Sequence, residues 1–268
     1  MFAATFILVL LPVLFFGTFL FGAWHEGRNS PYSFGIGRVI SNSFGAIGGA
    51  PVALIVASFA LIGSTTLVPH FLNGVAANRW IGMMGIGILY LLIYPLVTLF
   101  TTVIAIDVLD GRAINLREAL TVAAKRYFPG IILFVLIAIG LSAGFLMFVI
   151  PGIVLSLTWF VVWPVLATEG RSVFGCFARS GELMSGMRWR LLLLLVIAFV
   201  FYMLFAGMGK ALILALGVED GSLTEVIIQA TTGTLTGLIQ TTGAAAVYHE
   251  ARTAKEGMGS HDLEAVFA

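Results

Sequence analysis

The sequence predicts an all-α fold: a polytopic transmembrane helical bundle of about seven spans. Three observations predict it. Hydrophobic residues make up 60% of the 268 residues and charged residues only 10%, whereas soluble domains average about 45–50% and about 25%. Mean hydropathy is +1.07, and several runs of about 20 residues, the length that crosses a hydrocarbon core, carry no charge. These runs lack the polar–apolar alternation of a barrel strand. Their backbone polar groups must therefore be satisfied inside helices.

The predicted spans are 3–23, 51–69, 81–106, 130–150, 152–168, 191–215 and 223–248. The first run, "MFAATFILVLLPVLFFGTFLFG", has no positive n-region and no small-x-small cleavage site, so it reads as a retained transmembrane helix and not a signal peptide. Pro51 and Pro129 stand at span starts, where a missing N–H costs little. Pro95 and Pro164 fall inside spans and predict kinks. Pro151-Gly152 predicts a tight turn between the fourth and fifth spans. The domain reading is an N-terminal helix over 1–24, a six-helix membrane domain over 25–250 and a solvated tail over 251–268.

Orientation follows from Lys and Arg. Arg28, Arg38, Arg112, Arg117, Lys125, Arg126, Arg171, Arg179, Arg188, Arg190, Arg252 and Lys255 fall on one side, and only Arg79 and Lys210 on the other. The basic side is expected to be cytoplasmic, in a bacterial inner membrane, with the C-terminus inside.

Three charged segments show helical spacing. In "FGIGRVISNSFGAIGGAP", Ile36, Ile40, Phe44 and Ile47 oppose Arg38, Ser41 and Asn42. In "INLREALTVAAKRYFPG", Leu116, Leu120, Ala123 and Tyr127 oppose Arg117, Glu118, Thr121 and Lys125. In "FARSGELMSGMRWR" and the residues before it, Val173, Phe177, Met184 and Met187 oppose Arg171, Gly175, Arg179, Glu182 and Gly186. Each segment fits an amphipathic helix lying in the membrane interface. Each precedes a pair of spans, so the pattern of interfacial helix plus two spans occurs three times. Arg188, Trp189 and Arg190 mark the headgroup level. The residues expected to face lipid or a partner are Arg117, Lys125, Arg126, Arg171, Arg179, Arg188, Trp189 and Arg190. The positive-inside rule alone also accounts for them.

Within residues 151–195, Pro151-Gly152, Trp163-Pro164, Glu169-Gly170, Arg179-Ser180, Leu183, Gly186 and Trp189-Arg190 form a pattern. It resembles the membrane domain of some bacterial glycerophosphoryl diester phosphodiesterases and of stand-alone membrane proteins of that family. "FGIGRVISNSF" is similar to the family's start and "VYHEARTAKEG" to its ending, so the resemblance spans about 34–257. It implies a six-helix membrane core with interfacial helices. It does not imply catalysis, because the fused enzymes carry their chemistry on a separate soluble domain with a His-Arg-Gly stretch, which this chain lacks. The first span departs from the family pattern.

The remaining candidates are weak. Glu169 ends a span beside Arg171 and reads as an interface carboxylate paired with an arginine, as do Asp107 and Asp110 before Arg112. In the last span, Gly233 and Gly237 form a small-xxx-small packing stripe continued by Thr241 and Ala245. Gln229, Thr232, Thr236 and Gln240 beside it could bond across helices or line a polar path. His249-Glu250 and His261-Asp262 read as solvated tail pairs without metal-ligand spacing. "GIG" at 35–37 and 85–87 lacks the third glycine of a dinucleotide site. The lone Cys176 reads as a packing residue. The expectation is a non-enzymatic protein with no cofactor or metal and no nucleic-acid partner. Its role would be accessory, scaffolding or lipid-interacting, within a larger complex or as a homo-oligomer, with anionic headgroups as partners. The alternative is a transporter or lipid-handling permease with a path along the last span.

Overall fold

The computed structural model describes residues 34–72 and 79–257, and these form an all-helical chain. The sequence-predicted span 3–23, and His261-Asp262, lie outside the described residues. The helices are α1 (Ile36–Gly49), α2 (Pro51–Leu72), α3 (Arg79–Leu109), α4 (Leu116–Lys125), α5 (Tyr127–Met147), α6 (Val149–Thr158), α7 (Val162–Glu169), α8 (Val173–Met184), α9 (Arg188–Ala215) and α10 (Leu223–Glu256). Short α1, α4 and α8 each precede two longer elements, with α6 and α7 together serving as one.

Among the described residues, five segments are long and apolar enough to cross a membrane: Pro51–Val68, Met84–Leu109, Tyr127–Met147, Val149–Glu169 and Arg188–Ala215. α10 has 34 residues, about 51 Å at 1.5 Å per residue, but its composition is too polar to join them. It runs against α1, α2, α3 and α9. Its buried stripe is Ala230, Thr234, Leu238, Thr242 and Ala245. A helix enclosed by protein on one face needs less hydropathy than one surrounded by lipid.

Pro51 and Pro129 stand at the starts of α2 and α5, as expected, but Pro151 and Pro164 act differently. The chain turns at Phe148, whose backbone is extended. Pro151 and Pro164 each occupy the first turn of a helix, α6 and α7, where their missing N–H costs nothing. The break in the fifth predicted span therefore falls at 159–161, ahead of Pro164. Gly152 packs on α5: a Cβ there would meet the Phe145 ring at 2.5 Å. Pro95 sits inside an unbroken α3. The Tyr127 hydroxyl donates to the Leu92 carbonyl at 2.9 Å, next to the Leu91 carbonyl that Pro95 leaves without its helical donor.

Burial is concentrated toward the end of the bundle that holds the basic segments. Ile104–Ile106, Val161, Val162, Val165–Ala167, Leu183–Met184 and Ala245–Tyr248 are closed off there. The short helices bury small residues: Val39, Ser43 and Ala46 on α1, and Ala119 and Ala123 on α4. Their bulkier predicted faces point outward, with Phe44, Leu116 and Leu120 exposed. Small side chains let a helix lie close on its neighbour, which leaves the large ones free for lipid. α8 is more embedded, with Cys176, Ser180, Leu183 and Met184 buried.

Candidate functional site

The polar groups of the chain gather at the basic end, where α7, α8 and the last turns of α10 meet. Glu169 closes α7. It accepts from Arg171 Nε at 2.6 Å, Arg179 Nε at 3.0 Å and the Tyr248 hydroxyl at 3.1 Å. Thr168 Oγ1 donates to the Tyr248 oxygen at 2.9 Å. Arg179 also pairs with Glu256, which accepts from Arg252 Nε at 3.1 Å. Lys255 Nζ donates to the Glu182 carbonyl and to Ser185 Oγ, the latter at 2.7 Å. The end of α10 is thereby clamped onto α8.

The electrostatics agree with this clamp. Burial pulls the Arg179 pKa down, but Glu256 and Glu169 outweigh it and the net shift is upward. Burial pushes Glu256 up, but Arg179 and Arg252 hold its carboxyl below the ordinary glutamate value. Opposite charges in contact favour both ionised forms.

A second cluster ties α1 to α10. Glu250 is 4% exposed. It accepts from Arg38 Nε at 2.8 Å and from the Gly35 N–H at 2.9 Å. Arg190 Nη1 donates to the Phe34 carbonyl at 3.1 Å. The tail reading of His249-Glu250 is therefore corrected: α10 continues to Glu256, and the proposed boundary at 251 falls inside a helix at buried Ala251. A third cluster closes α3, where Arg112 Nη2 lies 2.8 Å from Asp107 and 3.0 Å from Asp110. His249 Nε2 is 3.5 Å from Asp110.

The residues expected to face lipid divide into two groups. Arg117, Lys125 and Arg171 are exposed. Arg179 is not lipid-facing: its side chain is 16% exposed and spent on carboxylates. Arg126 Nη1 donates to the Leu166 carbonyl at 2.6 Å, in the last turn of α7, and burial pulls its pKa down. Arg190 is engaged as above, and Arg188 and Trp189 are half-buried. Amphipathic spacing cannot distinguish an arginine that meets phosphate from one that meets a carboxylate brought in by a distant helix.

The polar-path residues do not converge. Thr232 and Thr236 donate to carbonyls three or four residues back on their own helix, as do Thr231, Thr234, Thr241 and Thr242. Thr232 also packs on α9, where a Cβ at Gly209 would meet its methyl at 3.1 Å. Gln229 Nε2 donates to Glu225 at 2.8 Å, and Gln240 is exposed. Gly233 and Gly237 both face Ile62 on α2, and a Cβ at Gly233 would lie 2.8 Å from it.

The residues of the 151–195 pattern have structural tasks. Gly170 takes φ +60°, and a Cβ there would meet Arg126 at 2.8 Å. The Ser180 hydroxyl donates to the Thr158 carbonyl at 2.7 Å, and Leu183 is fully buried. Among the described residues no three His, Cys, Asp or Glu side chains gather as a metal site. Comparison with known proteins found no matching family model, curated protein or solved structure.

Sequence reasoning missed Tyr248, Glu250 and Glu256. A signal was present: between Ala244 and Glu256 the chain has no glycine or proline, and Gly257 follows. That is how a continuing helix and its C-terminal stop read.

Proposed function

We propose that this chain is a non-enzymatic, multi-pass membrane protein of accessory or scaffolding role whose basic end contacts anionic lipid headgroups, in a bacterial inner membrane with the C-terminus cytoplasmic. The resemblance of residues 151–195 to the phosphodiesterase-associated membrane domain belongs to the same reading, as a membrane core without the enzyme. The observation that carries it is the charge at that end. Eleven described Lys and Arg side chains stand there with seven Asp and Glu. Exposed cations stand beside exposed apolar groups: Arg117 with Leu116 and Leu120, Lys125 with Phe128, and Arg171, paired with Glu169, with Phe174. Phe128 and Phe174 are 75% and 76% exposed. An apolar side chain entering the acyl boundary with a cation at phosphate level is the interfacial arrangement. The carboxylates Glu169, Glu250 and Glu256 are each engaged by at least two donors, which favours a structural role over acid–base work.

Each cation near an anionic surface attracts it by about 1 kcal/mol, which is roughly fivefold in association. The test is lipid selectivity of the full-length protein in bilayers, read by electron spin resonance of spin-labelled phosphatidylglycerol and phosphatidylcholine. Phosphatidylglycerol is expected to be preferred. The preference should fall when Arg117, Lys125 and Arg171 are changed together to Gln, and when salt is raised. Equal association of both lipids with the unmodified protein would remove the reading.

A further inference from the structure

α9 is seated on the bundle at both ends and stands open in the middle. One stripe of the helix, at helical spacing, holds Leu191, Ala198, Tyr202, Gly209 and Ile213. Leu191, Gly209 and Ile213 are buried, as is Leu194. Ala198 and Tyr202 lie between them and are exposed, Tyr202 by 50%. Every residue from Ala198 to Leu204 is exposed, about two turns without a buried face. The level of this opening follows from a contact with α10. A Cβ at Gly209 would meet Thr232 at 3.1 Å, and the two helices run in opposite directions, since α9 starts and α10 ends at the basic end. Seven residues back from Gly209 is Tyr202; seven on from Thr232 is Ile239, followed by Gln240. Both points are about 10 Å from that contact. Gln240 lies between the edge of α10 that packs on Ile62, at Gly233 and Gly237, and the edge that packs on Gly209, at Thr232. Ile62 is well inside the membrane-length segment Pro51–Val68, so the opening is at hydrocarbon depth.

Two polar groups stand at this level without partners. Neither the Tyr202 hydroxyl nor the exposed Gln240 carboxamide forms a hydrogen bond among the described residues. Gln229, Thr232 and Thr236, by contrast, are bonded within their own helix. An unpaired polar group in hydrocarbon is costly, because neither water nor lipid tails can bond it. From Leu191 to Gly209 and from Val226 to Tyr248 the chain has no Asp, Glu, Lys, Arg or His, so a charged ligand would find no counter-ion at this depth. The phenol O–H and the amide N–H both donate, and one carbonyl oxygen can accept both. Phe201 and Phe205 stand on either side of Tyr202 along α9 and offer ring faces to a flat molecule. From Leu194 to Gly209 the opening is about 22 Å long, too short for a spanning helix of about 30 Å to lie in it.

We propose that the opening between α9 and α10 is a binding site for a lipid-soluble quinone, with one carbonyl oxygen accepting from Tyr202 and Gln240. The site lies at mid-membrane, away from the basic end, and stands or falls apart from the headgroup reading. The probe is tritiated decylubiquinone, bound to purified full-length protein in detergent and displaced by unlabelled decylubiquinone or by decylbenzene. Saturable binding of one quinone per chain is expected, displaced by the quinone and not by the carbonyl-free ring. Tyr202→Phe and Gln240→Leu should each weaken it about fivefold, the loss of one hydrogen bond. Ala198→Phe, which fills the opening, should weaken it about tenfold or more, and Thr236→Val should leave it unchanged. Protection of the Cys176 thiol reports that each variant is folded, and light scattering reports its mass. Absence of saturable binding would overturn the proposal, as would equal displacement by decylbenzene or full affinity in both Tyr202→Phe and Gln240→Leu. So would a dimer that these two variants split into monomers, since the two polar groups would then belong to a contact with a second copy of the chain.

Discussion

The hydrogen bond from Ser180 to Thr158 gives a sharp test of how α8 is held. Thr158 ends α6, and the following break at 159–161 takes away the helical donor its carbonyl would otherwise have. The N–H of Val162 goes instead to the Trp159 carbonyl. Ser180 is fully buried and donates to Thr158 at 2.7 Å. Ser180→Ala keeps the shape and removes the donor. A buried acceptor left unpaired costs about 1–3 kcal/mol. In a chain of this size each 1 kcal/mol shifts the unfolding midpoint by about 2–4 °C. The readout is built in: Cys176 is the sole cysteine, is buried on α8, and burial pushes its thiol up to about 11. A maleimide dye therefore labels it only once α8 opens. In a thermal ramp in detergent, Ser180→Ala should label at a temperature lower by roughly 2–12 °C on those figures. Leu183→Ala, which empties a fully buried site on the same helix, costs about 2–5 kcal/mol and should label lower as well. If Leu183→Ala shifts the curve and Ser180→Ala does not, α8 is held by packing alone and the carbonyl account is wrong.

Three other outcomes follow from the same geometry. Gly152→Ala puts a Cβ 2.5 Å from the Phe145 ring; overpacking of this kind costs about 1–3 kcal/mol, and Phe145→Ala in the same chain should recover part of the lost melting temperature. Glu256 has a carboxyl pKa held below its ordinary 4.5, so its contribution is fully present above that value and is lost as pH falls through the lower folded value. Hydrogen exchange of residues 250–256 should rise over that acid range, and Glu256→Gln should flatten the dependence. Thr232→Val and Thr236→Val lose only hydroxyls bonded to their own helix and should leave thermal stability nearly unchanged, whereas Gly233→Leu against Ile62 should lower it clearly.

Five of the seven predicted spans and the short amphipathic helices were legible because hydropathy and 3.6-residue spacing are local. Lipid as solvent demands unbroken apolar helices, and the cations collect where those helices end. The pairing of Glu169 with Arg171 could be read because the two are neighbours in sequence. The partners of Arg179, Arg190 and Glu250 could not: Glu256, Phe34 and Arg38 lie 77, 156 and 212 residues away in the chain. Spacing shows which face of a helix a charge occupies but not what packs against it. The turn at Phe148 was misread for a related reason. A proline followed by glycine suits a turn, but it suits the first turn of a helix equally, and close packing of Gly152 on Phe145 selects the second.

By itself the sequence determined that this is a helical chain with apolar membrane-length segments and one basic end, since composition and period need no partners. Only the tertiary structure decided which charges neutralise one another and which stay on the surface, and that α10 is a polar helix carried on its neighbours. Those outcomes depend on contacts between distant segments, whose energies exist only once the helices are brought together.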